Sequence, residues 1–335
     1  MTHINKIKII AEIGVNHDGS ILKAKKLIDA AKSSGADFVK FQVFDSENLV
    51  KEDTGLAEYQ KKGIKKIKIT QKNLLKKYQL NKIDLLKIIK YSKLKKINIF
   101  FSFFNPEDLD KVPRNLLKIV KIPSGEITNV PLLRKISKVA KKIILSTGMA
   151  NLKEIKSALS ILKKNGTEII LLHCTTNYPT KPSEANIFSV SVLKKIFRVK
   201  VGYSDHTETN LAAILSIMQG SEYIEKHITL NRKLIGPDHS SSMDPKQFRN
   251  YVNDLRNIKV VLGKKFKKPC YSELKNLKIV RKSIVALRNI DKGEMFSLKN
   301  ICCKRPGSGI SPLKWDSVIG KKAKKFFKKD DFIYI

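Results

Sequence analysis

Hydrophobic residues in this chain come in short, nearly unbroken runs, and each run ends in polar or ionisable side chains. Between residues 6 and 230 eight such runs read KIKIIAEIG, ADFVKFQVF, INIFFSFF, LLKIVKIPS, KKIILSTG, EIILLHCTT, VKVGYSDH and EYIEKHITL. Strands of a parallel sheet have this look, because helices cover both faces of the sheet. Helical spacing separates most of the runs. Ile21, Leu22, Ala24, Leu27 and Ile28 fit one helix that starts at Ser20 and stops near Gly35. Asn151 caps a second through Leu162 that closes at Asn165-Gly166, and Thr207 or Thr209 opens LAAILSIMQG. Asp244-Pro245 opens QFRNYVNDLRNIKVVLG, with proline in the first turn and glycine at the end. Eight strand–helix units in series predict an α/β fold, a (β/α)8 TIM barrel. Its active site is then expected on the rim at the C-terminal strand ends.

Two stretches depart from this rhythm. The interval from residue 45 to 96 is too long for one connector and holds EYQKKGIKKIKITQKNLLKKY, read as a loop excursion and a helix. GKKFKKPCYSE, near residue 264, has no periodicity and contains Pro269. It reads as a linker, over 264–280 and leading into a short helix, after a barrel over 1–263. Residues 281–335 alternate in short strands around an Asp291-Lys292-Gly293-Glu294 turn, which predicts a small β-rich module. A piece of about 55 residues is near the lower limit for independent stability, so it gains from docking on another surface.

Composition narrows the function classes. The chain has 335 residues and is 42% hydrophobic, ample for a large core. Its start, MTHINKIKII, is too short and too polar for a secretory signal, and no apolar run nears the ~20 residues that span a bilayer. Cys174, Cys270, Cys302 and Cys303 form no CxxC pair, so reduced thiols in a cytoplasmic protein are expected. The formal net charge of +37 raises the question of nucleic acid. Lysine carries most of it and is spread through every helix, whereas nucleic-acid readers concentrate charge in a patch and rely on Arg. No specific nucleic-acid or membrane partner is therefore expected; a positive field does favour an anionic substrate.

The rim carries the chemistry. Lys40 and Lys121 stand at the second and fourth strand exits, and a lysine in an apolar strand either meets an anion or snorkels outward. Lys226 precedes His227, and neighbours in a strand face opposite ways. Ser102, Ser124, Ser146, Thr147 and Ser204 add hydroxyl donors for phosphate or carboxylate. Neither a P-loop nor GxGxxG occurs, so a nucleotide cradle of those kinds is excluded. His206 and His227 close the seventh and eighth runs. They fit a pair of metal ligands or rim residues hydrogen-bonded to Asp205 or Glu225, and a metal with two protein ligands would act as a Lewis acid. Glu12 and Glu126 are carboxylates at the first and fourth exits, suited to acid–base work. A glycosidase would use two such acids, but it does not ask for the lysines and histidines. Asp238 fits either a substrate hydroxyl or an Asx turn after Pro237. The residues alone thus point to a metal-assisted barrel enzyme acting on an anionic, phosphorylated small molecule. A catalytically inert, basic anion- or nucleic-acid-binding barrel is the alternative from a different class.

AEIGVNHDGS, VKFQ, KIPSGEITN, ILSTGM, LLHCTTNYPT, GYSDHT, IEKHITL, GPDH and KRPGSGIS, in this order along nearly the whole chain, resemble the sialic acid synthase family. The resemblance implies a barrel followed by a C-terminal antifreeze-like (SAF) domain. It also implies metal-dependent condensation of phosphoenolpyruvate with an N-acylated amino-sugar aldehyde. Mn2+ or Mg2+ would sit on His206 and His227. Lys40, Ser102, Lys121, Ser124, Thr176 and Ser204 match phosphoenolpyruvate contacts, although some members have Asn at the position of Thr176. Glu12, Tyr178 and Asp238 match residues that hold the sugar, and Glu126 the carboxylate that assists water. Arg305 matches an arginine that the small domain of one subunit inserts into the other's barrel, which implies a domain-swapped homodimer. GISPLKW favours N-acetylneuraminate formation over legionaminate formation, and Gly14 with the SGE segment fits pseudaminate synthases worse.

Overall fold

The computed structural model describes residues 7–56, 70–163, 166–264 and 266–335. The expected excursion IKKIKI and the helix end at Asn165 lie outside the described residues. Eight parallel strands close into a barrel in sequence order. They are β1 (Lys8–Gly14), β2 (Phe38–Val43), β3 (Asn98–Phe103), β4 (Ile119–Ile122), β5 (Lys142–Ser146), β6 (Glu168–His173), β7 (Lys200–Asp205) and β8 (Tyr223–His227). Each coincides with one apolar run. β8 pairs back onto β1 from Lys8↔Tyr223 to Glu12↔His227, so no strand edge is left open.

The helices follow from capping and periodicity. α1 (Ile21–Ser33) is capped by the Ser20 hydroxyl. Between β2 and β3 lie a short α2 (Ser46–Leu49), α3 (Gln71–Tyr78) and α4 (Lys82–Leu94); α3 and α4 take the place of the single helix expected there. α5 (Val130–Val139) follows β4. α6 (Leu152–Leu162) starts with a reciprocal cap, in which Asn151 accepts from Glu154 N and Glu154 accepts from Asn151 N. α7 (Phe188–Phe197), α8 (Leu211–Met218) and α9 (Pro245–Leu262) complete the ring. α8 begins at Leu211, later than Thr207 or Thr209, because the Thr207 hydroxyl is engaged by Asp205 Oδ1 at 2.8 Å.

Alternation along the strands separates two layers. Ile9, Ala11, Val39, Phe41, Phe101, Val120, Leu145, Leu171, Tyr203 and Ile224 face the helices and join their apolar sides in the main core. Ile10, Phe100, Ile144, Ile170, Leu172 and Tyr223 plug the barrel interior. One step further along most of these strands, the inward position turns polar. Gly202 lets β7 sit close to its neighbours, since a Cβ there would lie 2.3 Å from Tyr223 O and 2.6 Å from Leu172 Cδ2. Among the described residues no helix is long and apolar enough to cross a membrane.

The chain divides into Met1–Leu262 and Gly263–Ile335. In the second unit the short helix expected at the end of the linker is α10 (Tyr271–Val280), which takes up much of 264–280. β9 (Ser283–Ala286) and β10 (Ile301–Lys304) pair antiparallel. Ile284, Ile290, Phe296, Ile301, Val318, Phe327 and Ile333 form that unit's own core.

Candidate active site

Above the apolar plug, the next inward residue of six strands is Glu12, Lys40, Ser102, Lys121, Ser204 and Glu225, all buried. They line a small polar well with Ser124, Ser146, Cys174, Tyr178, His206 and His227. Lys40 therefore faces inward and does not snorkel outward. Its Nζ lies 2.8 Å from Glu225 and 3.4 Å from Glu12. Lys121 Nζ donates to Ser146 Oγ at 2.7 Å and stands 3.6 Å from Glu225. Glu225 Oε1 also accepts from Ser204 Oγ at 3.0 Å. Glu225 is thus the common counter-ion of both lysines, a role the sequence reading did not give it. The signal was present, since Glu225 precedes His227 by two and shares its face of β8.

Charge in this well is finely divided. Burial pushes Glu12 up to about 7, only partly offset by Lys40. Burial alone would lower Lys40, yet the two carboxylates hold it above its ordinary value. Lys121 is lowered by burial to about 8 in spite of Glu225. Glu225 itself stays well below the usual carboxylate range: burial opposes ionisation, and Lys121 and Lys40 overcome it. A well with two ammonium groups and one firmly ionised carboxylate is built to receive an anion.

The two histidines meet at the well's lip, with ring centroids 5.6 Å apart. The Tyr178 ring lies 4.1 Å from His206 and 5.7 Å from His227. His206 Nδ1 is 2.8 Å from Thr175 O, which fixes that nitrogen as the N–H and leaves Nε2 a lone pair, near Ser204 Oγ at 3.3 Å. Neither Asp205 nor Glu225 is hydrogen-bonded to His206. Burial lowers His206 to about 4, and burial together with His206 and Lys40 takes His227 well below its ordinary value. Both are neutral imidazoles near pH 7, as metal ligation requires. His227 Nδ1 is buried without a hydrogen-bond partner, 3.7 Å from Asp238 Oδ2. Among the described residues no cluster of three or more His, Cys, Asp or Glu forms a cage. The donor set fits a divalent ion that takes its other ligands from substrate and water.

The residues between these, Asp205 and Lys226, point the other way. Lys226 donates to Asp205 Oδ2 at 3.1 Å and to the carbonyl of Thr207, and Tyr251 Oη from α9 donates to the same Asp205 oxygen at 3.0 Å. His173, another exit residue, also faces outward, stacked on Tyr203 and bonded to Ala185 O.

Outside the well opens a cavity of about 310 Å³. Gln42, Ser124, Glu126, Thr176, Tyr178, His227 and Asp238 line it, with Val15, Phe44, Leu49, Leu75 and Phe104 as an apolar wall. Glu126 accepts from Asn129 Nδ2 at 2.8 Å, and burial raises its pKa. Thr176 and Ser124 hydroxyls are 3.2 Å apart, and Gln42 donates to Glu12 Oε1 at 3.1 Å. Asp238 is buried, which pushes its carboxyl up to about 6. Gln42 and the apolar wall escaped the sequence reading, because their types carry no chemical signature. Of the expected site residues only Arg305 belongs to the second unit, where it is exposed.

Residues 27–267 match the NeuB family and residues 281–335 the SAF domain. An N,N'-diacetyllegionaminic acid synthase of Campylobacter jejuni is 44% identical over 98% of this chain and 99% of its own length. An enzyme of the same name from Legionella pneumophila is 39% identical over 94% of this chain and 89% of its own. The crystal structure of an N-acetylneuraminic acid (sialic acid) synthetase from Leptospira borgpetersenii superposes with a TM-score of 0.71 at 33% identity, over 82% of this chain and 90% of that one.

Proposed function

Because the chain belongs to the NeuB family, with a SAF domain after its barrel, we propose that it is a nonulosonic acid synthase. It condenses phosphoenolpyruvate with an N-acylated amino-sugar aldehyde, giving a nine-carbon 2-keto acid and phosphate. The observation that carries this reading is the convergence of Lys40, Lys121 and Glu225 with His206 and His227 in one well. Phosphoenolpyruvate has about three negative charges near neutral pH, and charge-assisted donors suit it. Lys40, Lys121, Ser102, Ser124, Thr176 and Ser204 supply them.

In the reaction C3 of phosphoenolpyruvate bonds to the aldehyde carbon, and the aldehyde oxygen takes a proton. Water then adds at C2, and the C–O bond to phosphate breaks with release of inorganic phosphate. Glu126, raised by burial, is the base for the water proton. Glu12, about 7, can hold or give a proton within this pH range and binds the sugar with Tyr178 and Asp238. His206 and His227 would hold Mn2+ or Mg2+, which supplies Lewis-acid polarisation of the aldehyde oxygen. Arg305 reaches the barrel of a second copy in the proposed homodimer.

For the sugar, the relatives' names favour a 2,4-diacetamido-2,4,6-trideoxyhexose, which yields N,N'-diacetyllegionaminate. The apolar wall of Phe44, Leu49, Leu75 and Phe104 supports it, because a deoxy carbon and a second acetyl group prefer such surface to hydroxyls. The GISPLKW segment had pointed to N-acetylmannosamine and N-acetylneuraminate. Purified protein with phosphoenolpyruvate, Mn2+ and each sugar in turn, followed by phosphate release and 2-keto acid formation, tests both levels. Faster turnover with the diacetamido sugar is expected; preference for N-acetylmannosamine reverses the choice of sugar. No turnover with either, from folded metal-loaded protein, rejects the enzyme and leaves the inert anion-binding barrel.

A further inference from the structure

The loop after β1, Val15 to Ser20, adds only Val15 to the cavity wall, yet its Asn16 and Asp18 are committed to another loop. Asn16 is buried, and its Nδ2 donates to Ile228 O at 2.9 Å and to Ser242 Oγ at 2.8 Å. Ser242 Oγ in turn donates to the carbonyl of Asp238 at 2.7 Å. Asp18 Oδ1 lies 2.9 Å from Nε2 of His239, which is fully buried. Nδ1 of His239 is 2.7 Å from Thr229 Oγ1, so both ring nitrogens are engaged. Lys23 Nζ donates to the second Asp18 oxygen at 2.6 Å. On its other side the His239 ring meets Gly236, where a Cβ would come within 2.6 Å of Cδ2.

These contacts surround Asp238 on both sides in sequence. Its carboxylate is turned inward, towards His227 at 3.7 Å, although water would solvate it better. In the segment from Ile228 to Asp244 the bridge Ile228↔Met243 ties the two ends, and between them the regular structure is the short turn His239–Ser241. The stretch around Asp238 is held to the β1–α1 loop through Asn16 and the charge-assisted Asp18–His239 bond.

We propose that Asp18 and His239 are a positioning pair that pins the loop after β8, so that the Asp238 carboxylate is presented to the amino-sugar substrate. Neither residue lines the polar well. The pair therefore governs sugar binding and leaves the phosphoenolpyruvate side alone. This rests on the synthase reading above. A glutamine can place its amide nitrogen near the position of His239 Nε2, and so keeps the bond to Asp18.

The test compares Asp18→Ala, His239→Ala and His239→Gln with the wild type. Its readouts are the sugar KM, phosphoenolpyruvate affinity by calorimetry, and amide hydrogen exchange over residues 236–242. Asp18→Ala and His239→Ala should raise the sugar KM by ~10- to 100-fold, as a misplaced binding group does. Phosphoenolpyruvate affinity should stay within about twofold, and His239→Gln should recover most of the sugar KM. An unchanged sugar KM, a parallel loss of both substrates, or no rescue by glutamine overturns the proposal. Should the wild type not turn over either sugar, the synthase reading fails separately. The pinning is then judged by exchange: faster in both alanine variants but not in His239→Gln supports it, and equal rates in all four refute it.

Discussion

Replacing Glu225 by glutamine isolates the central electrostatic claim, because it removes one charge and keeps the shape and an acceptor for Ser204. Glu225 lies 2.8 Å from Lys40 and 3.6 Å from Lys121. At an effective dielectric of about 20 these separations give gross attractions of about 6 and 5 kcal/mol. The net cost is smaller, since Lys121, already lowered to about 8, can shed its proton when the carboxylate disappears. Breaking a buried pair from one side costs about 3–5 kcal/mol, or a melting point lower by on the order of 10 °C. An anion can take the missing place. Calorimetric melts at pH 7.5, with and without inorganic phosphate, should show the loss and a phosphate-induced rise larger in the variant than in the wild type. Adding Lys40→Met to the variant should return part of the stability. A Glu225→Gln protein that melts with the wild type and responds equally to phosphate would refute the reasoning, because Glu225 would then not be holding the place of a bound anion.

The pH dependence of stability follows from Glu12. Its folded value of about 7 exceeds the ordinary 4.5, so the folded state keeps a proton that the unfolded chain has lost. Stability from this group is present below pH 4.5 and is lost as pH rises through 7, by about 3 kcal/mol in all. Denaturant titrations of wild type and Glu12→Gln across pH 4.5–8 should diverge in that sense, and parallel curves would contradict it. His206→Ala and His227→Ala should each abolish Mn2+ binding measured by calorimetry while far-ultraviolet circular dichroism stays unchanged; retained affinity in either removes the metal assignment. Gly202→Ala should destabilise the barrel by on the order of 3 kcal/mol, because its Cβ meets the backbone of β8, and denaturant unfolding checks this. Arg305→Ala and Glu126→Gln should each be nearly inactive, and mixing them should restore turnover through hybrid sites; failure despite verified subunit exchange argues against the crossed homodimer.

The barrel was legible because a strand covered on both faces must be apolar throughout, and such runs leave little else for the chain to do. The inward polar layer was less so. Lys40 could have faced either way, and only alternation from Phe38, inside, and Val39, outside, decides it. His173 and Lys226 sit at strand exits just as His206 does, but one residue out of step, so they face the helices. Glu225 was visible as a charge and not as a hub, since its partners come from the second and fourth strands. Asp18 and His239 are 221 residues apart, a separation no local pattern can bridge. The second helix between β2 and β3 was hidden by a lysine-rich segment whose apolar positions are too few to separate α3 from α4.

The Asp205–Lys226 pair bridges the outer sides of β7 and β8, with Tyr251 of α9 tied to it. Each of its members is chained to an imidazole one position along, so the gap between the imidazoles is inherited from the wall behind them. For the proposed divalent ion, tuning of the pair can therefore begin at Tyr251, buried on the helix side of the barrel wall and away from the well.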